Sequence, residues 1–293
     1  MRFFARLVSC LFLFAAVIFS ACHADFPFAG GENQKNQELI IRMLDIGQGD
    51  AILLEKGGKF ALIDSGDVEH RSQMAEWLRK YGAGELETVI ITHPHIDHLG
   101  GMLSVFAHAK INRIYDNGEP YSSYTYRTYR KVISKKEIPC RTLKAGDRID
   151  LLDGVPFTVM GPVAESHANG EDSRQNNNSI VGQAAYGNFK MLFTGDAEAE
   201  EEMSILKTGV DIKSTVLKVG HHGSKTSSTD DFLEAVSPEA ALISCGAGND
   251  YGHPSQKTLK KLEARNISVY RTDRNGTITV TTDGKGCRIE KER

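Results

Sequence analysis

The stretch Thr92-His93-Pro94-His95-Ile96-Asp97-His98-Leu99-Gly100-Gly101 restricts this chain more than any other. Its three imidazoles and one carboxylate directly follow the apolar residues 86–91. That run reads as a buried strand with Val89, Ile90 and Ile91 at its heart, and Leu99 onward reads as a helix. The donor-rich loop therefore stands at the carboxyl end of a strand, where open α/β sheets place their sites. Neutral imidazole and carboxylate suit zinc, and also manganese or iron. So tight a turn cannot aim all four groups at one ion. The simpler geometry is two pairs of ligands on two neighbouring ions.

His-x-His-x-Asp-His followed by Gly-Gly resembles the signature of the metallo-β-lactamase superfamily. The resemblance implies an α/β fold, a four-layer αββα sandwich with a one- or two-metal site at its edge. Asp45-Ile46-Gly47-Gln48-Gly49-Asp50-Ala51 and Ile63-Asp64-Ser65-Gly66 narrow it to one branch. That branch holds the metallo-β-lactamase domain of ComEC-type bacterial competence proteins for DNA uptake. It also holds secreted phosphodiesterases such as the choline-phosphate esterase of bacterial surfaces. In such a fold Asp50 and Gln48 lie near the metals, although Asp and Gly also favour turns on their own account.

The same resemblance assigns further positions. Asp196, after the strand-like Met191-Leu192-Phe193, matches the bridging carboxylate; its bland alternative is a helix cap. An Asp at this place counts against β-lactam hydrolysis. Gly220-His221-His222-Gly223-Ser224-Lys225 is similar to the fifth metal motif. One of His221 and His222 would ligate and the other meet substrate, in an order that spacing leaves open. Tyr251-Gly252-His253-Pro254 is typical of the competence-type branch, with His253 as a phosphate contact or general acid. Where many relatives carry a third-motif histidine, this chain has Asn176-Asn177-Asn178-Ser179-Ile180-Val181. The branch shows Asn-x-x-Ser there, which leaves one metal with fewer protein ligands and puts Asn178 and Ser179 near substrate. His167 lacks the spacing to substitute.

Arg2 and Arg6, the apolar residues 7–19 and Ser20-Ala21-Cys22-His23-Ala24 have the make-up of a secretory leader. The expected organisation is a signal peptide over 1–24, a linker over 25–37 and one hydrolase domain over 38–293. Ser20-Ala21-Cys22 also resembles a lipoprotein box, so Cys22 is a possible lipid anchor; either route takes the protein out of the cytoplasm. Without the leader the chain holds 33 basic and 38 acidic residues. That balance argues against a non-specific polyanion binder, yet bound divalent metal supplies local positive charge. Cys140, Cys245 and Cys287 form no disulfide framework. The polar residues 165–178 read as a loop, and the tyrosine- and lysine/arginine-rich segment from Tyr121 to Lys136 as an amphipathic surface helix. His70 reads as a surface residue and Trp77 as core packing. No stable protein partner is implied.

The ligand set His93, His95, Asp97, His98, Asp196 and His221/His222 implies two divalent ions, zinc or manganese, that turn a shared water into an attacking hydroxide. Asp97 then also belongs to the catalytic group. Phosphodiesters fit best, because two-metal sites suit in-line displacement at an anionic centre. Ser224, Lys225 and His253 offer contacts for phosphate oxygens or the leaving group. The expectation is a secreted metal-dependent phosphodiesterase or nuclease acting on a phosphodiester such as extracellular DNA or RNA. Two alternatives stand beside it: a carbon ester or lactone hydrolase with the same metals, and a non-catalytic module binding nucleic acid or a surface polymer.

Overall fold

Alternation along the strands sorts the apolar side chains into three cores, and three cores require four layers. In a strand, successive residues face opposite sides of the sheet. Thus Ile90 packs in one cluster with Ile63, Phe157, Phe193 and Leu242, while its neighbours Val89 and Ile91 pack in another with Met74, Leu78, Val105 and Ile133. Met191 and Phe193 join the first cluster, whereas Leu192 turns to a third with Leu217, Ile243, Phe232 and Leu262. The first cluster lies between two sheets, and the other two lie between a sheet and its helices. This is the αββα sandwich that the sequence implies. It is seen in the computed structural model, which describes residues 38–163, 168 and 170–293. The expected leader and linker, Cys22 and His167 lie outside the described residues.

The described residues form a nine-stranded and a seven-stranded sheet. The first runs Cys287–Lys291, Ile278–Thr282, Leu39–Met43, Ile52–Lys56, Lys59–Ile63, Glu85–Ile91, Ile114–Asp116 and Cys140–Thr142, with Lys110–Ile111 beside Glu85–Ile91. The second runs Ser268–Arg271, Ala240–Ile243, Val216–Lys218, Phe189–Phe193, Val181–Tyr186, Val155–Gly161 and Arg148–Leu152. Lys59–Ile63 and Glu85–Ile91 are parallel, as are Phe189–Phe193, Val216–Lys218 and Ala240–Ile243. Asp64, His93, Asp196 and His222 all follow the carboxyl ends of these strands. At that edge the Ile180 amide donates to the Thr92 carbonyl (2.9 Å), tying the two sheets together.

Three elements depart from the sequence expectation. The helix expected from Leu99 is two pieces, Ile96–Leu99 and Met102–His108, broken at Gly100-Gly101. A Cβ on Gly101 would collide with the Ser65 carbonyl, so the chain packs here only without a side chain. Residues 111–115, which read from the sequence as one strand, are divided between Lys110–Ile111 and Ile114–Asp116. Part of the expected 165–178 loop is the helix Glu171–Asn177. Its buried residues are Gln175, Asn176 and Asn177, so it carries no apolar stripe to reveal it. Asn177 instead accepts from the Glu198 and Glu201 amides (3.2 and 3.1 Å), satisfying free donors at the start of the helix Ala199–Thr208. The tyrosine segment is the helix Tyr124–Lys136, with Tyr129 buried and Tyr124 exposed. Trp77 packs against the core, and its indole N–H donates to the Asp45 carbonyl (3.1 Å). His70 is half-buried beside Gly47. Among the described residues no helix is long and apolar enough to cross a membrane.

Candidate metal centre

Asp196 stands at the middle of the site. Its Oδ2 lies 3.3 Å from His98 Nε2, 3.4 Å from His222 Nε2 and 3.9 Å from His221 Nε2. Asp97 Oδ2 is 3.1 Å from His222 Nε2. Ligand atoms of Asp97, His98, Asp196 and His222 all fall within 4.8 Å of one another. His93 and His95 face each other separately, Nε2 to Nδ1, at 3.0 Å. The His93 turn, Asp196 and the His221-His222 corner thus meet in space, though distant along the chain.

The outward nitrogens of the imidazoles are held, which fixes what their inward nitrogens can do. His98 Nδ1–H donates to Asp64 Oδ2 (2.8 Å), and His222 Nδ1–H donates to the Ser244 carbonyl (2.9 Å). His221 Nδ1 is 3.1 Å from Glu198 Oε1. Each of these three rings then turns Nε2 towards Asp196. Such backing by a carboxylate or carbonyl sets tautomer and ring orientation in metal sites. His95 Nε2, His98 Nε2 and Asp196 Oδ1 are buried and without a hydrogen-bond partner among the described residues. Polar atoms are rarely left so. A divalent ion accepting the lone pairs of His98 Nε2 and Asp196 fits the donor set, while His95 Nε2 lies 3.8 Å from Asp172 Oδ1.

The backbone is bent to bring the pair in. His221 (φ 47°) and His222 (φ 51°) are both left-handed, inside the turn Gly220–Gly223. Two consecutive residues with side chains in this region are costly, and such strain concentrates at functional sites. His222 is buried within the cluster, whereas His221 stays at its rim with 23% of its side chain exposed. The geometry therefore distinguishes two residues that spacing could not.

Lys218 is the residue that sequence reasoning missed. It is fully buried, donates to the Gly195 carbonyl (2.7 Å), forms a close ion pair with Asp50 and lies 3.7 Å from Asp196 Oδ1. Burial disfavours its charge, but Asp50 and Asp196 hold its pKa above the ordinary lysine value. Burial likewise opposes the charge of Asp50, but Lys218, His222 and His98 together keep that carboxyl below the usual range. Burial raises Asp64, and His98 only partly offsets this. Burial lowers the basicity of His98 and His222, yet Asp196 foremost draws both well above the usual imidazole value. A signal for Lys218 did exist: a lysine in step with Val216 on an otherwise apolar strand must find a buried partner.

The other expected contacts divide between a hidden and an open set. Asp50 and Ser179 are buried behind the donors. Ser179 Oγ accepts from the Asp196 amide (3.0 Å) and lies 3.3 Å from His93 Nδ1. Asn178 is buried, with its amide donating to Glu119 (2.9 Å). Gln48 accepts from the Gly246 amide (3.1 Å), bracing a loop. Ser224 is buried, with its hydroxyl 2.9 Å from that of Thr226, while Lys225 is exposed. His253 lies 5.3 Å from His221 and 6.3 Å from His222, ring to ring. Burial, with those two imidazoles beside it, pushes its pKa down to about 4.

Comparison with known proteins agrees with this geometry. The model of the Metallo-beta-lactamase superfamily matches residues 44–247. ComE operon protein 3 of Bacillus subtilis is 32% identical over 256 residues, covering 81% of this chain and 32% of that protein. Competence protein ComA of Neisseria gonorrhoeae is 30% identical over 258 residues, covering 87% and 34% respectively. The chain thus spans about a third of the length of these curated relatives. Among solved structures, Igni18, a metallo hydrolase from the archaeon Ignicoccus hospitalis, superposes with a TM-score of 0.53 at 15% identity. That match covers 82% of this chain and 98% of the other.

Proposed function

Since the chain belongs to the metallo-beta-lactamase superfamily of metal-dependent hydrolases, we propose that it is a secreted phosphodiesterase or nuclease. The observation that carries the reading is the convergence of Asp97, His98, Asp196 and His222 beside the facing pair His93 and His95. On this reading Asp97, His98, Asp196 and His222 hold one divalent ion, zinc or manganese. His93 and His95, with Asp196 between, hold a second. The second position has fewer protein donors, because Asn178 and Ser179 stand where a further histidine would add one. When bound, such ions acidify a water and neutralise charge on reacting oxygens.

The chain's own groups supply the rest. Lys218 balances the carboxylates from below. Glu198 turns His221 towards the reacting centre, where its Nε2 can hold a non-bridging oxygen or pass a proton to the leaving group. His253, neutral near pH 7, serves as a hydrogen-bond partner for phosphate rather than as a source of charge. Lys225, exposed on the loop after the paired histidines, adds a mobile cation for the polyanion. Relatives named as competence proteins support nucleic acid as the substrate. The leader-like residues 1–24 support export, and Cys22 remains the candidate lipid anchor.

The test is hydrolysis of single-stranded DNA, RNA and bis(p-nitrophenyl) phosphate by purified mature protein with zinc or manganese. A carbon ester and a lactone run alongside. Turnover of phosphodiesters that stops on chelation and in Asp196→Asn supports the reading. Turnover confined to the carbon esters, or phosphodiester cleavage that survives both treatments, overturns it.

A further inference from the structure

Two tyrosine rings lie against histidines of the site, and the chemistry above uses neither. The Tyr121 ring lies 5.7 Å from that of His95, at 62°. The Tyr251 ring lies 5.8 Å from that of His253, at 21°, and His253 in turn stacks 6.3 Å from His222. Ring contacts run from His95 to His93 (4.6 Å), on to His98 (4.1 Å) and on to His222 (5.4 Å), so the tyrosines flank this row of imidazoles. Each comes from a different sheet. Tyr121 lies between the strand Ile114–Asp116 and the helix Tyr124–Lys136, and Tyr251 between the strand Ala240–Ile243 and the helix Gln256–Ala264.

Both loops are braced. Asn249 donates to the Gly246 and His253 carbonyls (2.9 and 2.6 Å) and accepts from the His253 amide (3.0 Å). Asn117 accepts from the Glu119 amide (3.1 Å), and the Glu119 carboxylate pairs with Arg174 and accepts from Asn178. Tyr251 is nonetheless 73% exposed, with one face towards His253 and the other open. Tyr121 is half-buried. An aromatic face held open in a braced loop is a stacking platform in need of a flat partner.

We propose that Tyr121 and Tyr251 stack the two bases flanking the scissile phosphodiester, so that the substrate is an unpaired nucleic-acid strand. The proposal rests on the phosphodiesterase reading and specifies its substrate. In a duplex, base faces are covered by their neighbours; a strand whose bases are splayed apart presents one to each tyrosine. Stacking of this kind tolerates any base, because every base has a π face.

A dithymidine phosphodiester with one scissile bond tests it, beside two analogues that each lack one base. Removing a base should lower kcat/KM of the metal-loaded wild type about 5- to 150-fold. Tyr251→Ala should lose a similar factor on the intact dinucleotide and nothing more on one of the analogues. Tyr121→Ala should behave likewise with the other analogue. Tyr251→Trp should keep activity, and bound metal should be unchanged in all three variants. Equal kcat/KM on the intact and both baseless substrates overturns the tyrosine assignment and leaves the phosphodiesterase reading standing. So does a loss in Tyr251→Ala that is the same on every substrate. Wild type that cleaves neither the dinucleotide nor bis(p-nitrophenyl) phosphate overturns the parent reading, and this one with it.

Discussion

Replacing Lys218 with methionine removes a buried cation and leaves its two carboxylates in place. Lys218, Asp50 and Asp196 are each at most 2% exposed, so water cannot take over the lost charge. At an effective dielectric of about 20, one pair of unit charges 4 Å apart is worth about 4 kcal/mol. Lys218 makes one pair near that separation, with Asp196 at 3.7 Å, and a closer one with Asp50. Removing the lysine also removes its own desolvation cost. The net expectation is therefore the usual 3–5 kcal/mol or so for breaking a buried pair from one side. For a domain of this size that is roughly 6–20 °C in Tm. The assay is urea and thermal unfolding of the chelated protein, wild type against Lys218→Met, Asp50→Asn and the double variant. Asp50→Asn should recover part of the loss, because it removes one stranded charge; a coupling of about 1–3 kcal/mol is expected. Saturating divalent metal should narrow the gap by supplying charge beside Asp196. A Lys218→Met protein within 1 kcal/mol or so of wild type when chelated, or strictly additive losses in the double variant, would refute the reasoning.

Other variants probe other parts of the fold. His222→Ala should weaken metal binding by more than about 100-fold, the upper end of losses seen for outer partners, whereas His221→Ala should keep its metal and lose turnover; metal analysis and kinetics on both separate the roles. Burial raises the Glu201 carboxyl to about 8 despite the Val163 amide that donates to it (2.9 Å). Its folded pKa exceeds the unfolded value near 4.5, so the native state binds the extra proton, and stability should fall as pH rises from about 4.5 through 8. Glu201→Gln should flatten that slope and stabilise the protein above pH 8, by at most about 5 kcal/mol in pH-dependent unfolding. Asn177→Ala strips the acceptor from the Glu198 and Glu201 amides and should cost about 1–2 kcal/mol by denaturant titration. Gly101→Ala forces a Cβ into the Ser65 carbonyl and should destabilise by at least 1–3 kcal/mol or so, with lost metal affinity as the His98 turn shifts.

Local chemistry was readable along the chain wherever one short segment carried the whole signal. The His93–His98 loop, the strand before it and the strand-like Met191-Leu192-Phe193 are such segments, and the fold class came from the resemblance of that loop to a family signature. The helix Glu171–Asn177 was not readable, because its buried face is amide rather than apolar and its partners lie on the helix Ala199–Thr208. Lys218 was hidden for a related reason. Its meaning depends on Asp50 and Asp196, which reach it from separate strand ends. What separates His221 from His222 is burial, 23% against 1% of the side chain exposed, a property of folded geometry with no trace in residue order. Ligand types are written in composition and spacing. Which nitrogen faces the centre, and which charge answers which, depends on a few ångströms between segments that meet only when the two sheets close.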